Sequence, residues 1–324
     1  MNKLKSAIIG CGFIAGLYDD IKDKKNILTH AKAYLIHPNI ELVAAVDTNE
    51  DNLKKFQKKY KIPYIFNTVS EMLERIKPDI ISICSPSQTH DDYLNLISKY
   101  NIKGIWSEKP LGLDYKKVKQ NFEILVNRNI YINHFRRWSI GIEDIRNIIN
   151  NKVLGNLKRI IFYHSKGIMS NGSHAIDLLL FLIGKLPIKI KLIKILKIDV
   201  NDSVVDVLLD YLDFQVYIFE NLNIDYSFFE MDIIFEKGRI TTKNNGFDIY
   251  LYKTKRSNYY KNYYWLSAKG EKIKNNLNRA MYKILETLYN NIISNKVNNF
   301  LIDEYNNYLI CNKIYKLALK GKKK

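Results

Sequence analysis

"AIIGCGFIAGLYDD", Ala7 to Asp20, decides how the rest of the chain is read. Two readings compete for it. Lys3 and Lys5 precede a short apolar run, and Ile8-Ile9-Gly10-Cys11 has the form of a lipoprotein cleavage box. An export signal, however, carries an apolar core of about 7–15 residues before its cleavage site. Only Ser6 to Gly10 separate Lys5 from Cys11, so the box is a chance match. The other reading is a glycine turn. Gly10-x-Gly12-x-x-Ala15 follows a short apolar strand, "KSAIIG". Gly10 permits a tight turn, Gly12 lets a pyrophosphate approach the backbone, and Ala15 is small enough for close helix–strand packing. The spacing predicts that the turn opens a helix whose N-terminus favours phosphate charge. Gly10, Gly12, Phe13 and Ile14 are its candidate cofactor contacts.

Asp47 closes the next strand, "ELVAAVD" (Glu41 to Asp47). A carboxylate there can accept hydrogen bonds from both hydroxyls of a ribose and repels a 2′-phosphate, so it selects NAD over NADP. The usual interval from glycines to acid is about 20 residues. Here the polar stretch "YDDIKDKKNILTHAKAY" intervenes and is read as an insertion in the first crossover, over residues 19–34, whose role stays open.

Working outward, "DIISICSP", "IKGIWSEKP" and "NIYINHF" supply further apolar strands, with helices from about Asn49 to Tyr60, about Asp91 to Tyr100, and after Asp114. Buried strands alternating with helices argue for a parallel sheet of βαβ units. From about Ser139 the rhythm changes. Strand-like runs follow one another, from "LKRIIFYHS" through "IKIKLIKILKIDV", "VVDVLLDYL", "FQVYIFENL", "FEMDIIFE" and "RITTKN" to "FDIYLY". Many alternate apolar and polar residues, as in a sheet with one face buried. A helix from Ser173 to Ile183 interrupts them, and two striped helices end the chain. One carries Leu277, Met281, Leu285, Leu288 and Ile292; the other carries Tyr308, Cys311, Tyr315 and Leu319. The expected domains are residues 1–136 and 137–324, with the C-terminal helix able to pack back on the first.

Composition limits the alternatives. With 324 residues the chain can hold two domains, and 47% hydrophobic and 26% charged residues is ordinary for a soluble globular protein. The best apolar run, "AIDLLLFLIG", falls short of a membrane span and contains Asp177, so no membrane partner is expected. A net charge of +18 invites a nucleic-acid reading. Its lysines are dispersed in pairs along the chain, which describes a solvated surface and no nucleic-acid partner. The tail "KGKKK" and the tyrosine-rich Tyr252 to Lys272 are the two denser places. The second reads as a loop or subunit contact beside a sheet rather than a base-stacking platform. Cys11, Cys84 and Cys311 lie far apart without metal-ligand spacing, as reduced core residues of a cytoplasmic protein do.

"SPSQTH" (Ser85 to His90) after the third strand, "EKP" (Glu108-Lys109-Pro110) after the fourth, "NHFRRW" (Asn133 to Trp138) and "NGSHAID" (Asn171 to Asp177) complete a pattern. In that order, with the glycine turn and Asp47, they resemble the Gfo/Idh/MocA oxidoreductases over nearly the whole chain. The resemblance implies a Rossmann domain followed by a domain built on a large, mostly antiparallel open sheet. It implies NAD as cofactor, a carbinol on a sugar-like substrate, and a homodimer or homotetramer formed through the second sheet. "ILTHAKAY" is similar to relatives from surface-polysaccharide pathways, which narrows the substrate to a nucleotide-activated sugar.

The same resemblance assigns roles. Lys109 would stabilise the developing alkoxide, the oxyanion logic applied to a carbinol. His174 would exchange the hydroxyl proton, with Asp177 one helical turn on. Ser85, Pro86, His90, Glu108 and Lys109 itself would stand at the cofactor, with Pro110 fixing the turn through a cis bond. His90 is read as packing there rather than reacting. Arg136, Arg137, Lys166, Asn171 and Asp177 are candidate substrate contacts, and Tyr163 and His164 lead into that segment. One departure stands out. The family often places an aspartate four residues before the histidine, and Ser170 occupies that position. Two alternatives therefore stay open beside the dehydrogenase: an NAD-dependent glycosidase of the same family and a non-catalytic NAD-binding subunit.

Overall fold

The computed structural model describes residues 3–322; the last two lysines of the "KGKKK" tail lie outside them. The chain divides into two compact units. Among the described residues one comprises 3–138 and 278–306, the other 139–277 and 307–322. The division falls two residues beyond the expected one, and residues 278–306, which the expected 137–324 domain contains, group with the first unit instead.

In the first unit, strands β1 (Leu4–Ile9), β2 (Ile40–Val46), β3 (Tyr64–Phe66), β4 (Ile80–Ile83), β5 (Gly104–Ser107) and β6 (Ile130–Ile132) form one parallel sheet. Their order, β3-β2-β1-β4-β5-β6, is that of a doubly wound nucleotide-binding fold, with the switch point between β1 and β4. Helices α1 (His30–Ile36), α2 (Glu50–Tyr60), α3 (Val69–Ile76), α4 (His90–Ser98) and α5 (Tyr115–Leu125) supply the crossovers. Their starts follow local chemistry: the side chains of Thr29, Asn49, Thr68 and Asp114 accept first-turn N–H groups of α1, α2, α3 and α5.

The glycine turn departs from the expected helix. Phe13–Leu17 makes a single π-type turn, and no regular helix follows before α1. The inserted loop thus spans residues 18–29, and His30 to Tyr34 belong to α1. The loop is tied down rather than open. Asp19 accepts from Leu28 N and, at 2.6 Å, from Thr29 Oγ1. Lys59 donates to the carbonyls of Gly16, Leu17 and Asp19, and Tyr60 Oη donates to Gly16 O at 2.7 Å. Carbonyls that a longer helix would have satisfied are satisfied by α2 instead.

In the second unit, α6 (Ile140–Asn150) is followed by β7 (Leu157–His164) and α7 (Ser173–Ile183). Then come β8 (Lys189–Asp199), β9 (Asp202–Asp210), β10 (Gln215–Glu220), β11 (Phe229–Phe235), β12 (Gly238–Lys243), β13 (Asp248–Arg256), β14 (Tyr264–Leu266) and β15 (Glu271–Ile273). The strands run in the order β14-β13-β12-β11-β7-β10-β9-β8, with β15 beside β13. All these pairs are antiparallel except β7 with β10. Alternation decides the faces. Ile160, Phe162, Val216, Ile218, Met231 and Ile233 turn to a core shared with α6 and α7, while Tyr163, Tyr217 and Phe219 stack on the other face. The tyrosine-rich segment carries β14 and β15, too short for their periodicity to be read.

Two helices close the chain. In α8 (Ala280–Ile293), Met281, Leu285, Leu288 and Ile292 pack into the core of the first unit. In α9 (Phe300–Gly321), Cys311, Ile314 and Ala318 join the core of the second. Among the described residues no helix is long and apolar enough to cross a membrane.

Candidate functional site

The glycine turn and the acid predicted to serve one ligand are bonded to each other. Asp47 Oδ2 accepts the backbone N–H of Cys11 at 2.6 Å, and Oδ1 accepts that of Asn49 at 2.8 Å. Each oxygen keeps a lone pair for a hydroxyl. Gly10 has φ +88°, and a Cβ there would stand 2.6 Å from Ser85 N, so the turn of β1 lies directly against the turn of β4. A Cβ on Gly12 would meet no atom within 4 Å. Gly12 faces open space, as a backbone that a pyrophosphate must approach should.

That space is a cleft of about 780 Å³ along the carboxyl ends of the strands. Gly10, Gly12, Asp47, Ser85 and Pro86 line it, as expected, and so do Asn67, Ser70 and Tyr93, which sequence reading had not singled out. The first two follow β3, a strand too short to be read, and Tyr93 stands on α4. Phe13 is largely exposed and Ile14 packs toward the core; neither lines the cleft. His90 stands behind it, 1% exposed, with Nδ1 2.8 Å from Pro110 O and Nε2 3.0 Å from Ser85 O. Its ring ties two turns together and is not a surface for a ligand. The donor set fits an NAD-type dinucleotide: a glycine turn open at Gly12, and a carboxylate beside it for a ribose.

Burial and the Asp47 carboxylate push the Cys11 thiol well above its ordinary range, so it is a small neutral side chain and no nucleophile. All three cysteines are buried and unbridged.

Lys109 follows β5, partly buried, and its peptide bond to Pro110 is cis. Beside it Glu108 Oε1 accepts from Asn133 Nδ2 and lies 3.1 Å from His30 Nε2. His30 Nδ1 is 3.0 Å from Ser82 Oγ, which is 2.7 Å from Tyr34 Oη. His30 had no assigned role, because its partners lie 52 and 78 residues away.

The two arginines part company. Arg137 is 4% exposed and pairs with Asp303 at 3.0 Å, which makes it a structural ion pair rather than a substrate contact. Arg136 stacks over Phe135 at 4.8 Å, and burial draws its guanidinium down to about 10, still cationic at neutral pH. His134 pairs with Glu304 at 2.8 Å, both nearly fully buried.

In the second unit, Lys166 is exposed with φ +79° and begins a turn over Gly167–Gly172 that leads into α7. Asn171 is partly buried in that turn. His174 and Asp177, 4% and 1% exposed, sit on the first turns of α7. The His174 ring meets Phe229 edge-on at 6.2 Å. His164 does not turn outward: it is fully buried, with Nδ1 3.0 Å from Glu220 Oε2.

Residues 4–133 match the model of an oxidoreductase family with an NAD-binding Rossmann fold, GFO_IDH_MocA. D-glucoside 3-dehydrogenase from Escherichia coli K12 is 24% identical over 156 residues, a match covering 48% of this chain and 41% of that protein. A dehydrogenase from Chromobacterium violaceum shares the fold with a TM-score of 0.80 at 13% identity, over 99% of this chain and 97% of that one. An oxidoreductase from Agrobacterium radiobacter, solved with NAD+, L-tartaric acid and magnesium, gives 0.75 at 15% identity over 99% and 97%. A myo-inositol dehydrogenase from Corynebacterium glutamicum gives 0.74 at 17% over 98% and 97%.

Proposed function

From residues 4–133, which belong to the Gfo/Idh/MocA oxidoreductases with their NAD-binding Rossmann fold, we infer that the chain is an NAD(H)-dependent dehydrogenase or reductase. Its substrate is a secondary carbinol of a sugar or cyclic polyol. The observation that carries the reading is the Asp47 carboxylate bonded to the glycine turn at the mouth of an open cleft. Bound NAD supplies the hydride acceptor or donor. Asp47 holds the ribose and disfavours a 2′-phosphate. Lys109 steadies negative charge on the substrate oxygen, and His174 takes or returns the hydroxyl proton. Ser170 cannot relay that proton as a carboxylate, which assigns the chemistry to His174 and Lys109.

The names of similar proteins support this substrate class, since glucosides and inositols both present secondary ring alcohols. A nucleotide-activated sugar is our narrower choice, with the Arg136 cation to meet its phosphates. We also propose a homo-oligomer through the open face of the second sheet, where Tyr163, Tyr217 and Phe219 stack. The test is calorimetric titration with NAD+ and NADP+, then turnover on a panel of inositols, glycosides and nucleotide sugars. NAD+ binding in clear preference to NADP+, with NADH accumulating on one member, is the expected result. No binding of either dinucleotide overturns the reading. Sugar release without NADH accumulation would make the chain a glycosidase instead.

A further inference from the structure

Four buried side chains behind Lys109 form one directed chain of hydrogen bonds. Asn133 Nδ2 and His30 Nε2 both reach Glu108 Oε1, and these contacts with the neighbouring Lys109 charge hold Glu108 below its ordinary value, an ionised group that can only accept. His30 therefore presents Nε2–H. Its ring is fully buried, which disfavours a second proton, so Nδ1 is an acceptor. Ser82 must then donate its hydroxyl proton to His30 Nδ1, and Tyr34 must donate its own to Ser82 Oγ. Each proton has one consistent place, and the dipoles all point at Glu108. The Trp106 ring, 3.8 Å from that of His30, fixes the imidazole plane. Bonds aligned this way polarise one another.

We propose that His30 is a positioning residue: through this chain it keeps Glu108 ionised and aimed at the end of β5, and so sets how strongly the cleft prefers oxidised over reduced cofactor. This rests on the reading of the cleft as an NAD site. With Asp47 ending β2, a dinucleotide laid across the switch point carries its nicotinamide toward β4 and β5. The nicotinamide of NAD+ bears a positive charge and that of NADH none, so an anion there favours the oxidised form. Burial pushes the Glu108 carboxyl up, and the His30 and Asn133 hydrogen bonds with the Lys109 charge bring it below its ordinary value. The titratable groups facing it are His30, Lys109 and Cys84, and Cys84 stays a neutral thiol through burial. His30 is thus the removable support.

The experiment measures Kd for NAD+ and for NADH against pH in the wild-type chain, His30→Phe and His30→Gln, with Tm recorded for each. In the wild type the ratio of the two constants stays flat. In His30→Phe the buried carboxyl takes up a proton as pH is lowered, and the preference for NAD+ falls about tenfold with it. His30→Gln, which returns an N–H donor, restores the flat profile. A His30→Phe ratio equal to wild type at every pH overturns the proposal. So does an equal loss of both cofactors with a lowered Tm in both variants, which marks a merely structural residue. A cofactor-free check is the infrared difference from the wild type: His30→Phe should gain carboxylic-acid absorption that His30→Phe/Glu108→Gln does not gain. A wild-type chain that binds no NAD+ would sink the cofactor reading itself, and the infrared result would still decide whether His30 holds the charge.

Discussion

Asp47 Oδ2 lies 2.6 Å from the backbone nitrogen of Cys11, so the acid that ends β2 is part of the glycine turn that ends β1. Ligand recognition and turn geometry are coupled there. Asp47→Ala should lower NAD+ affinity about tenfold or more, the scale of losing hydrogen bonds to a charged acceptor. It should also leave Cys11 N–H without its acceptor and lower Tm modestly. Asp47→Asn keeps the acceptor for Cys11 and removes the charge, so it should recover Tm while relaxing the bias against NADP+. Calorimetry with both dinucleotides reads the two effects separately. Unchanged NAD+ affinity in Asp47→Ala would reject the ribose assignment.

Gly10 and Gly12, two residues apart, should fail in different ways. Gly10→Ala forces an L side chain to φ +88° with its Cβ 2.6 Å from Ser85 N. Backbone strain of that kind costs about 1–3 kcal/mol, to which the clash adds, so a lowered urea midpoint is expected. Gly12→Ala meets no neighbour. It should unfold like the wild type and lose NAD+ affinity, because its methyl occupies the approach of the pyrophosphate. Equal effects of both substitutions on stability would contradict this division.

What was legible in the sequence was what depends on neighbours in sequence. The glycine spacing, the acid at the end of β2 and the capping residues Asn49 and Asp114 all act over a few residues. What escaped depends on distance or on brevity. β3, at three residues, shows no period, yet it brings Asn67 and Ser70 to the cleft. His30 finds its hydrogen-bond partners only in Ser82 on β4 and Glu108 just beyond β5. The helix expected after the glycine turn failed to form as a regular helix because an insertion follows one turn, and Lys59 and Tyr60 take over its carbonyls. Arg137 could not be told from a ligand contact until Asp303, 166 residues on, stood beside it.

Lys109 and His174 should separate chemistry from binding. Lys109→Ala removes a cation that acts on charge present only in the transition state, so kcat should fall on the order of 10²–10³-fold. Any change in its Kd for NAD+ should be much smaller than the loss in kcat. His174→Ala should lower kcat by about 10²-fold or more and abolish the limb of the pH–rate profile that reports its protonation. Wild-type turnover in either variant on the substrate found by screening would remove that residue from the mechanism.

His164 and Glu220 make a prediction about stability that activity does not enter. Strand β10 runs parallel to β7 with Glu220 opposite His164, and both side chains face the core at 3.0 Å. Burial pushes the Glu220 carboxyl up to about 7 and the His164 imidazole down to about 4. The signs differ. A raised carboxyl contributes stability in full below its ordinary 4.5 and loses it as pH rises through about 7. A lowered imidazole contributes in full above its ordinary 6.5 and loses it as pH falls through about 4. Between about 4.5 and 6.5 the unfolded chain holds one proton on the histidine, while the folded pair holds one on the glutamate. The proton count is equal, so the pair adds no slope to stability in that window. Glu220→Gln breaks the balance while keeping a carbonyl for Gly167 N–H, which Glu220 Oε2 now accepts at 3.0 Å. Its stability should fall as pH drops from 6.5 toward 4, at no more than about 1.4 kcal/mol per pH unit. The wild type should stay level with respect to this pair. Urea unfolding at a series of pH values measures the difference between the two chains directly, and parallel profiles would mean that His164 is not held neutral by its burial.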